Sequence, residues 1–138
     1  ELLIKSVTQA LMQCVRPMDT VARVGGEEFA IALPNCPPAF GPMVAERVRA
    51  RIERSVVEVG LGESPIQVTV SIGGAFAPQW VRSNLALWME RADKQLYRAK
   101  QSGRNRAEFE PAAVSQVSAE EKGLLFAAPG TASLDNQP

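Results

Sequence analysis

Thr20-Val21-Ala22-Arg23-Val24-Gly25-Gly26-Glu27-Glu28-Phe29-Ala30-Ile31-Ala32-Leu33 is the stretch on which the fold turns. Phe29, Ile31 and Leu33 alternate with Ala30 and Ala32, the period of a half-buried strand, and Thr20 to Val24 supplies a second β-rich run. The glycine pair between them predicts a tight two-residue hairpin connection with positive φ. Glycines also strip side chains from the turn, so that backbone amides are open to a close ligand, and two carboxylates follow at once. Consecutive strand residues face opposite ways, so only one of Glu27 and Glu28 can address a ligand above the turn. A hard carboxylate beside glycine amides suits a divalent cation holding a polyphosphate. The same residues also suit a solvated hairpin tip, and their types alone leave both readings open.

Upstream, Leu3, Val7, Leu11 and Cys14 fall at helical spacing, and Pro17 ends that helix. No capping residue precedes it, which reads as a chain cut within a domain. Downstream, Pro34 to Pro38 reads as a loop. A second helix begins near Pro42 with the stripe Ala45, Val48, Ile52 and Val56. Ile66, Val68, Val70 and Ile72 alternate as a strand running to Gly73-Gly74. A third helix starts at Ser83 or Asn84, buries Leu85, Met89, Ala92, Leu96 and Ala99, and stops at Gly103. Asn105 to Phe109 forms a short closing strand, and Ala112 to Pro138 reads as a disordered tail with a short helical or docking patch at Lys122 to Phe126. The fold class is α/β: a mixed central sheet, with an antiparallel hairpin, flanked by helices.

Composition removes whole reaction classes. The 138 residues include no histidine, so Ser-His-Asp or Cys-His catalysis and His-ligated metal sites are excluded within this chain. Chemistry is left to carboxylates, Lys, Arg, backbone groups or an oxygen-liganded metal. Fifteen basic and fifteen acidic side chains balance, which argues against a broad nucleic-acid surface. Cys14 and Cys36 lack CxxC spacing and read as isolated packing thiols in a reducing compartment. No apolar run is long enough for a membrane span and no signal-peptide pattern opens the chain, so the expected location is cytoplasmic.

Gly25-Gly26-Glu27-Glu28-Phe29 resembles the signature of the GGDEF family, the diguanylate cyclases, in its GGEEF form. Three more motifs agree. Arg16-Pro17-Met18-Asp19 resembles the family's RxxD inhibitory site, Ser71-Ile72-Gly73-Gly74-Ala75 its SxGxA strand, and Ala92 to Asn105 its AD..LY.AK..GRN helix. The resemblance covers residues 1 to 109 and implies the nucleotidyl cyclase or polymerase palm fold, with residues 1–110 as the C-terminal two-thirds of a GGDEF domain and 111–138 as the tail.

That resemblance implies condensation of two GTP into cyclic di-GMP with release of pyrophosphate, by a homodimer in which each domain holds one GTP and Mg2+ or Mn2+. Glu27 matches the metal-ligating acid and proton acceptor, Glu28 the second acid, and Gly25 and Gly26 the turn against the phosphates. Lys100 and Arg104 match phosphate-contacting positions; by spacing alone, both also suit the C-terminal dipole of a helix. Arg16 and Asp19, with Arg47 from the second helix, match the allosteric product site; alone, the pair reads as a surface salt bridge. Asp93 and Tyr97 read as packing and hydrogen-bonding residues. The family's N-terminal segment, with a metal-binding aspartate, guanine-reading groups and a central strand, has no counterpart before Glu1. The resemblance therefore implies a piece of a longer cyclase, with an N-terminal regulatory region or partner protein. The alternative function is a non-catalytic cyclic di-GMP receptor using the RxxD site.

Overall fold

A long strand, β4 (Ile66–Pro78), organises the chain in the computed structural model. The structure describes residues 2–58, 60, 62–78 and 84–111, together with the backbone of 121–131. Around β4 stand α1 (Leu2–Cys14), β1 (Thr20–Arg23), β2 (Phe29–Cys36), α2 (Phe40–Arg54), β3 (Val56–Val57), α3 (Leu85–Gln101), β5 (Ala107–Phe109) and β6 (Glu121–Thr131). The sheet order is β1-β2-β6-β4-β3, with β5 on β4 beside β3's edge. Strands β4 and β5 are parallel and joined through α3, whereas β1–β2, β2–β6 and β4–β6 are antiparallel.

Alternation along the strands sorts the two faces. Val68, Val70 and Ile72 of β4 join Phe29, Ile31 and Leu33 of β2 under α1 and α2, with Leu11, Val44, Val48 and Ile52 fully buried there. On the opposite face, Ala75 meets Ala92 of α3, with Ala30, Trp88 and Met89 packed alongside. Gly73 lets the α3 backbone approach, and Gly74 makes room for the Phe109 ring, which lies 5.8 Å centroid to centroid from Phe76. Asn84 caps α3, its side chain accepting the Leu87 N–H at 2.8 Å. Beyond its last turn, Gly103 takes φ +118°, the left-handed stop expected at that position.

The largest departure from the sequence reading lies at 121–131. Instead of disordered tail with a helical or docking patch at Lys122 to Phe126, this stretch is β6, paired along Phe29–Cys36 on one side and Val68–Pro78 on the other. The slot between β2 and β4 is thus occupied by a strand from the stretch that the sequence reading assigned to the tail. Gly123, Pro129 and Gly130 hid the strand, since such residues weaken a central-strand assignment. Pro129 lies past Ala127, the last residue with a β2 partner, so on that side no neighbouring strand calls for its missing N–H. The remaining tail positions, 112–120 and 132–138, lie outside the described residues, as does Ser83.

Smaller corrections are local. Val56 is in β3 and exposed rather than on the α2 stripe, and Leu85 is exposed at the start of α3. Residues Pro34 to Cys36 continue β2 across a bulge, with Asn35 at φ +49°, rather than forming a loop. Tyr97 is 64% exposed and Asp93 is exposed as well, so neither is a packing residue. Cys14 and Cys36 are buried and unbridged, and burial pushes the Cys14 thiol up.

Candidate functional site

The Gly25-Gly26 connection is wider than a two-residue turn. Arg23 and Phe29 are the last paired residues, and the Val24 N–H donates to the Glu28 carbonyl at 2.9 Å, closing the tip around Gly25, Gly26 and Glu27. Among the described residues the glycines at positive φ are Gly62 and Gly103, so neither Gly25 nor Gly26 is required for a left-handed backbone. A Cβ at Gly26 would meet nothing within 4 Å, and one at Gly25 would touch only the Glu28 side chain at 3.6 Å. The fold therefore leaves these two positions sterically open. Arg23, which sequence reading had not singled out, reaches back over the tip. Its Nε–H is 3.2 Å from both the Gly25 and Gly26 carbonyls, and its other donor is 2.7 Å from the latter. This clip draws the tip's carbonyl oxygens to one side. An i to i+3 arginine beside a glycine turn was the available signal.

Glu27 is exposed at the tip and, among the described residues, has no hydrogen-bond or ion-pair partner; Glu28 is half-buried. An exposed, unpaired carboxylate beside open backbone fits Mg2+, which takes one or two protein carboxylates and completes its shell with phosphate and water. No three of His, Cys, Asp and Glu gather as a complete metal cage among the described residues.

Strand register places the other candidates relative to the tip. Phe29, Ala127, Ile72 and Ala107 lie in one row across β2, β6, β4 and β5. Because β2, β4 and β5 run the same way, the residues just before Phe29 and just before Ala107 emerge at the same end of the sheet. That end carries Glu27 and Glu28 on one side, and Arg104 and the last turn of α3 with Lys100 on the other. Three strand spacings, about 14 Å, separate Phe29 from Ala107 along that row. Lys100 and Arg104 are both half-buried, and Arg104 adopts φ +64° just after the Gly103 stop, its N–H bonded to the Ala99 carbonyl at 2.9 Å. Also beside this end, the Ser71 hydroxyl is fully buried with no hydrogen-bond partner among the described residues.

The segment from Arg104 to Asn105 is tied down from across the sheet's other helix. Arg49 of α2 donates to the Asn105 side-chain oxygen at 3.1 Å, and the Asn105 amide donates to Glu53 at 2.5 Å. Arg49 also pairs with Glu46 at 2.6 Å and Glu53 at 3.2 Å. The Asn105 hydrogen bond first, and then Arg49, hold the Glu53 carboxyl below its usual range. Residues 49, 53 and 105 come together only through the fold, and nothing in their spacing announced it.

Arg16 and Asp19 lie at the opposite end, beside the start of β1. Their guanidinium and carboxylate meet at 2.8 and 3.1 Å, Asp19 also accepts the Arg16 backbone N–H at 2.7 Å, and Arg16 donates to the Pro34 carbonyl at 2.8 Å. The Asp19 side chain is fully buried while Arg16 stays 27% exposed, with its guanidinium 4.8 Å over the Phe40 ring. The pair is thus a built-in structural clamp rather than a loose surface bridge. Arg47 donates to the Cys14 carbonyl at 3.2 Å, which brings it to the end of α1 two residues short of Arg16, on an exposed face of α2. No helix among the described residues is long and apolar enough to cross a membrane.

The family model described as "Diguanylate cyclase, GGDEF domain" matches residues 1–106. Diguanylate cyclase A of Treponema denticola is 39% identical over 107 residues, which are 77% of this chain and 28% of that protein. The GGDEF domain of DgcB from Caulobacter crescentus, solved in complex with c-di-GMP, superposes with a TM-score of 0.71 at 29% identity, over 78% of this chain and 62% of that one. Diguanylate cyclase SiaD of Pseudomonas aeruginosa, solved with its activator SiaC, gives a TM-score of 0.71 at 30% identity over 78% of this chain and 40% of that one. The chain spans under a third of the length of relatives such as the Treponema protein.

Proposed function

Because this chain belongs to the GGDEF domain family of diguanylate cyclases, we propose that it carries the GTP-condensing half of a site that makes cyclic di-GMP and releases pyrophosphate. The observation that carries the reading is the convergence of the Gly25–Glu28 tip with Lys100 and Arg104 at one end of the sheet. Glu27 would hold Mg2+ or Mn2+, with Glu28 as the second acid beside it; the ion, when bound, would neutralise phosphate charge and polarise the reacting phosphate. The open backbone at Gly25 and Gly26 lets a triphosphate lie against the tip without steric conflict. Lys100 and Arg104 add fixed positive charge toward the pyrophosphate as it departs. Glu27, exposed and unpaired, accepts the proton of the attacking ribose 3′-hydroxyl. A two-fold pair of such domains brings two GTP face to face, so a homodimer is the working form, in the cytoplasm, with activity set by further protein or a partner.

The direct test incubates the protein, in its full natural chain, with GTP and Mg2+. Cyclic di-GMP and pyrophosphate should form, and folded protein that binds GTP yet never condenses it under any dimerising condition would overturn the reading. A finer test is Gly26→Ala. The fold accommodates this methyl, so unfolding free energy should stay within about 0.5 kcal/mol of the parent. GTP turnover should nonetheless fall by about tenfold or more as the methyl displaces the phosphates. Normal turnover would move the triphosphate away from this tip.

For the product, Arg16, Asp19 and Arg47 form the proposed allosteric site. Arg16 already spends part of its donor set on Asp19 and Pro34, so product binding shares or opens that clamp. Arg16→Ala should weaken cyclic di-GMP binding and raise product yield. It should also cost about 2 kcal/mol of stability, because Asp19 keeps only the backbone N–H of residue 16 as partner. Unchanged product affinity by calorimetry would remove this site.

A further inference from the structure

We infer that Arg49, Glu53 and Asn105 act as positioning residues that fix the orientation of Arg104 toward the triphosphate. The inference rests on the reading of Arg104 as a phosphate contact. Three successive residues, Gly103, Arg104 and Asn105, take φ of +118°, +64° and +49°. A side chain such as arginine is uncommon in the left-handed region, so the surrounding structure has to hold it there. The backbone bond from the Arg104 N–H to the Ala99 carbonyl anchors the turn to α3 on one side. Asn105 anchors it to α2 on the other, accepting from Arg49 at 3.1 Å and donating to Glu53 at 2.5 Å.

Both of these tertiary contacts are charge-assisted, and such bonds are stronger than neutral ones. Arg49 is itself braced on both flanks by Glu46 and Glu53, which leaves its guanidinium little rotational freedom. The Arg104 backbone is therefore set by two helices rather than by its own loop. Loss of the α2 anchor frees the turn to relax, and the guanidinium then samples positions off the phosphates. A displacement near 1 Å is enough to cost a charged contact most of its value.

Calorimetry of the full natural chain with 3′-deoxy-GTP and Mg2+ tests this without turnover. Asn105→Gly keeps the left-handed backbone accessible while deleting both side-chain bonds, and Glu53→Ala deletes one acceptor. Each should weaken 3′-deoxy-GTP binding about tenfold, the loss of one charge-assisted contact, with the unfolding midpoint lowered by less than about 4 °C. Glu53→Gln keeps an oxygen for the Asn105 amide and should restore affinity to within about twofold of the parent. In an Arg104→Ala background, Glu53→Ala should add less than about twofold, because the group being positioned is gone. Full additivity in that double variant, or parent-like affinity for Asn105→Gly, overturns the inference while leaving the cyclase reading intact. Parent-like affinity for Arg104→Ala alone overturns the phosphate role of Arg104 and with it the inference.

Discussion

Glu27→Gln should abolish the proposed cyclic di-GMP synthesis while leaving the protein folded. Glu27 is exposed at the hairpin tip and, among the described residues, has no partner, so no internal contact is lost and stability should change by no more than about 0.5 kcal/mol. The amide can neither take up the ribose proton nor offer an anionic oxygen to the metal. Losing a general base alone lowers rates by about 10²- to 10⁴-fold, and loss of a metal carboxylate compounds it. The measurement is product formation from GTP and Mg2+ beside the thermal unfolding midpoint. Parent-like turnover would remove Glu27 from the chemistry. A large fall in the midpoint would instead make it a structural residue.

Gly73→Ala should be the most destabilising of the conservative substitutions considered. A Cβ at this position would sit 2.6 Å from the Leu96 Cα and closer still to the Leu96 nitrogen and the Ala92 carbonyl oxygen. These are backbone atoms of α3 in mid-helix, so no side chain can rotate away and the whole helix has to lift off β4. Overpacking of a core costs about 1–3 kcal/mol, and a rigid backbone obstacle puts this case at or above the upper figure. Gly74→Ala also runs into a neighbour, but that neighbour is the Phe109 ring, a half-buried side chain able to shift, so its cost should be smaller. Denaturant unfolding of both variants gives the comparison directly. Because α3 carries Lys100 and leads into the Gly103 stop and Arg104, Gly73→Ala should also weaken GTP binding. Parent-like stability would mean that the α3 backbone does not lie against Gly73.

The two experiments probe different levels of organisation. The hairpin tip was legible because its residues are contiguous: a glycine pair followed by two carboxylates between alternating strands points to a turn whatever surrounds it, and the family resemblance is what attached chemistry to that turn. The width of the tip was not legible, since the closing bond from Val24 to Glu28 depends on the register of two strands rather than on the glycines. Helix α3 was read closely at both ends because caps and stops are local, and the Asn84 cap and the Gly103 stop both operate within one turn of their own residue. Strand β6 was missed for the opposite reason. Its two partners lie some 50 and 90 residues earlier in the chain, and its own glycines and proline speak against a central strand.

What the sequence determined by itself was therefore everything set by short range: the order of helices and strands from α1 to β5 apart from the two-residue β3, the glycine tip with Glu27 and Glu28, the RxxD spacing, and, through four motifs, the family. Tertiary structure alone decided which ends of these elements meet. The row through Phe29, Ala127, Ile72 and Ala107 puts the acidic tip and Arg104 at one end of the sheet and the Arg16–Asp19 clamp at the other. The clasp of Arg49 and Glu53 on Asn105 likewise exists only once α2 and the end of α3 have packed. The physical reason is that propensity, capping and turn chemistry act over a few residues, whereas pairing register and helix docking are chosen by the burial of a shared core between segments far apart in the chain.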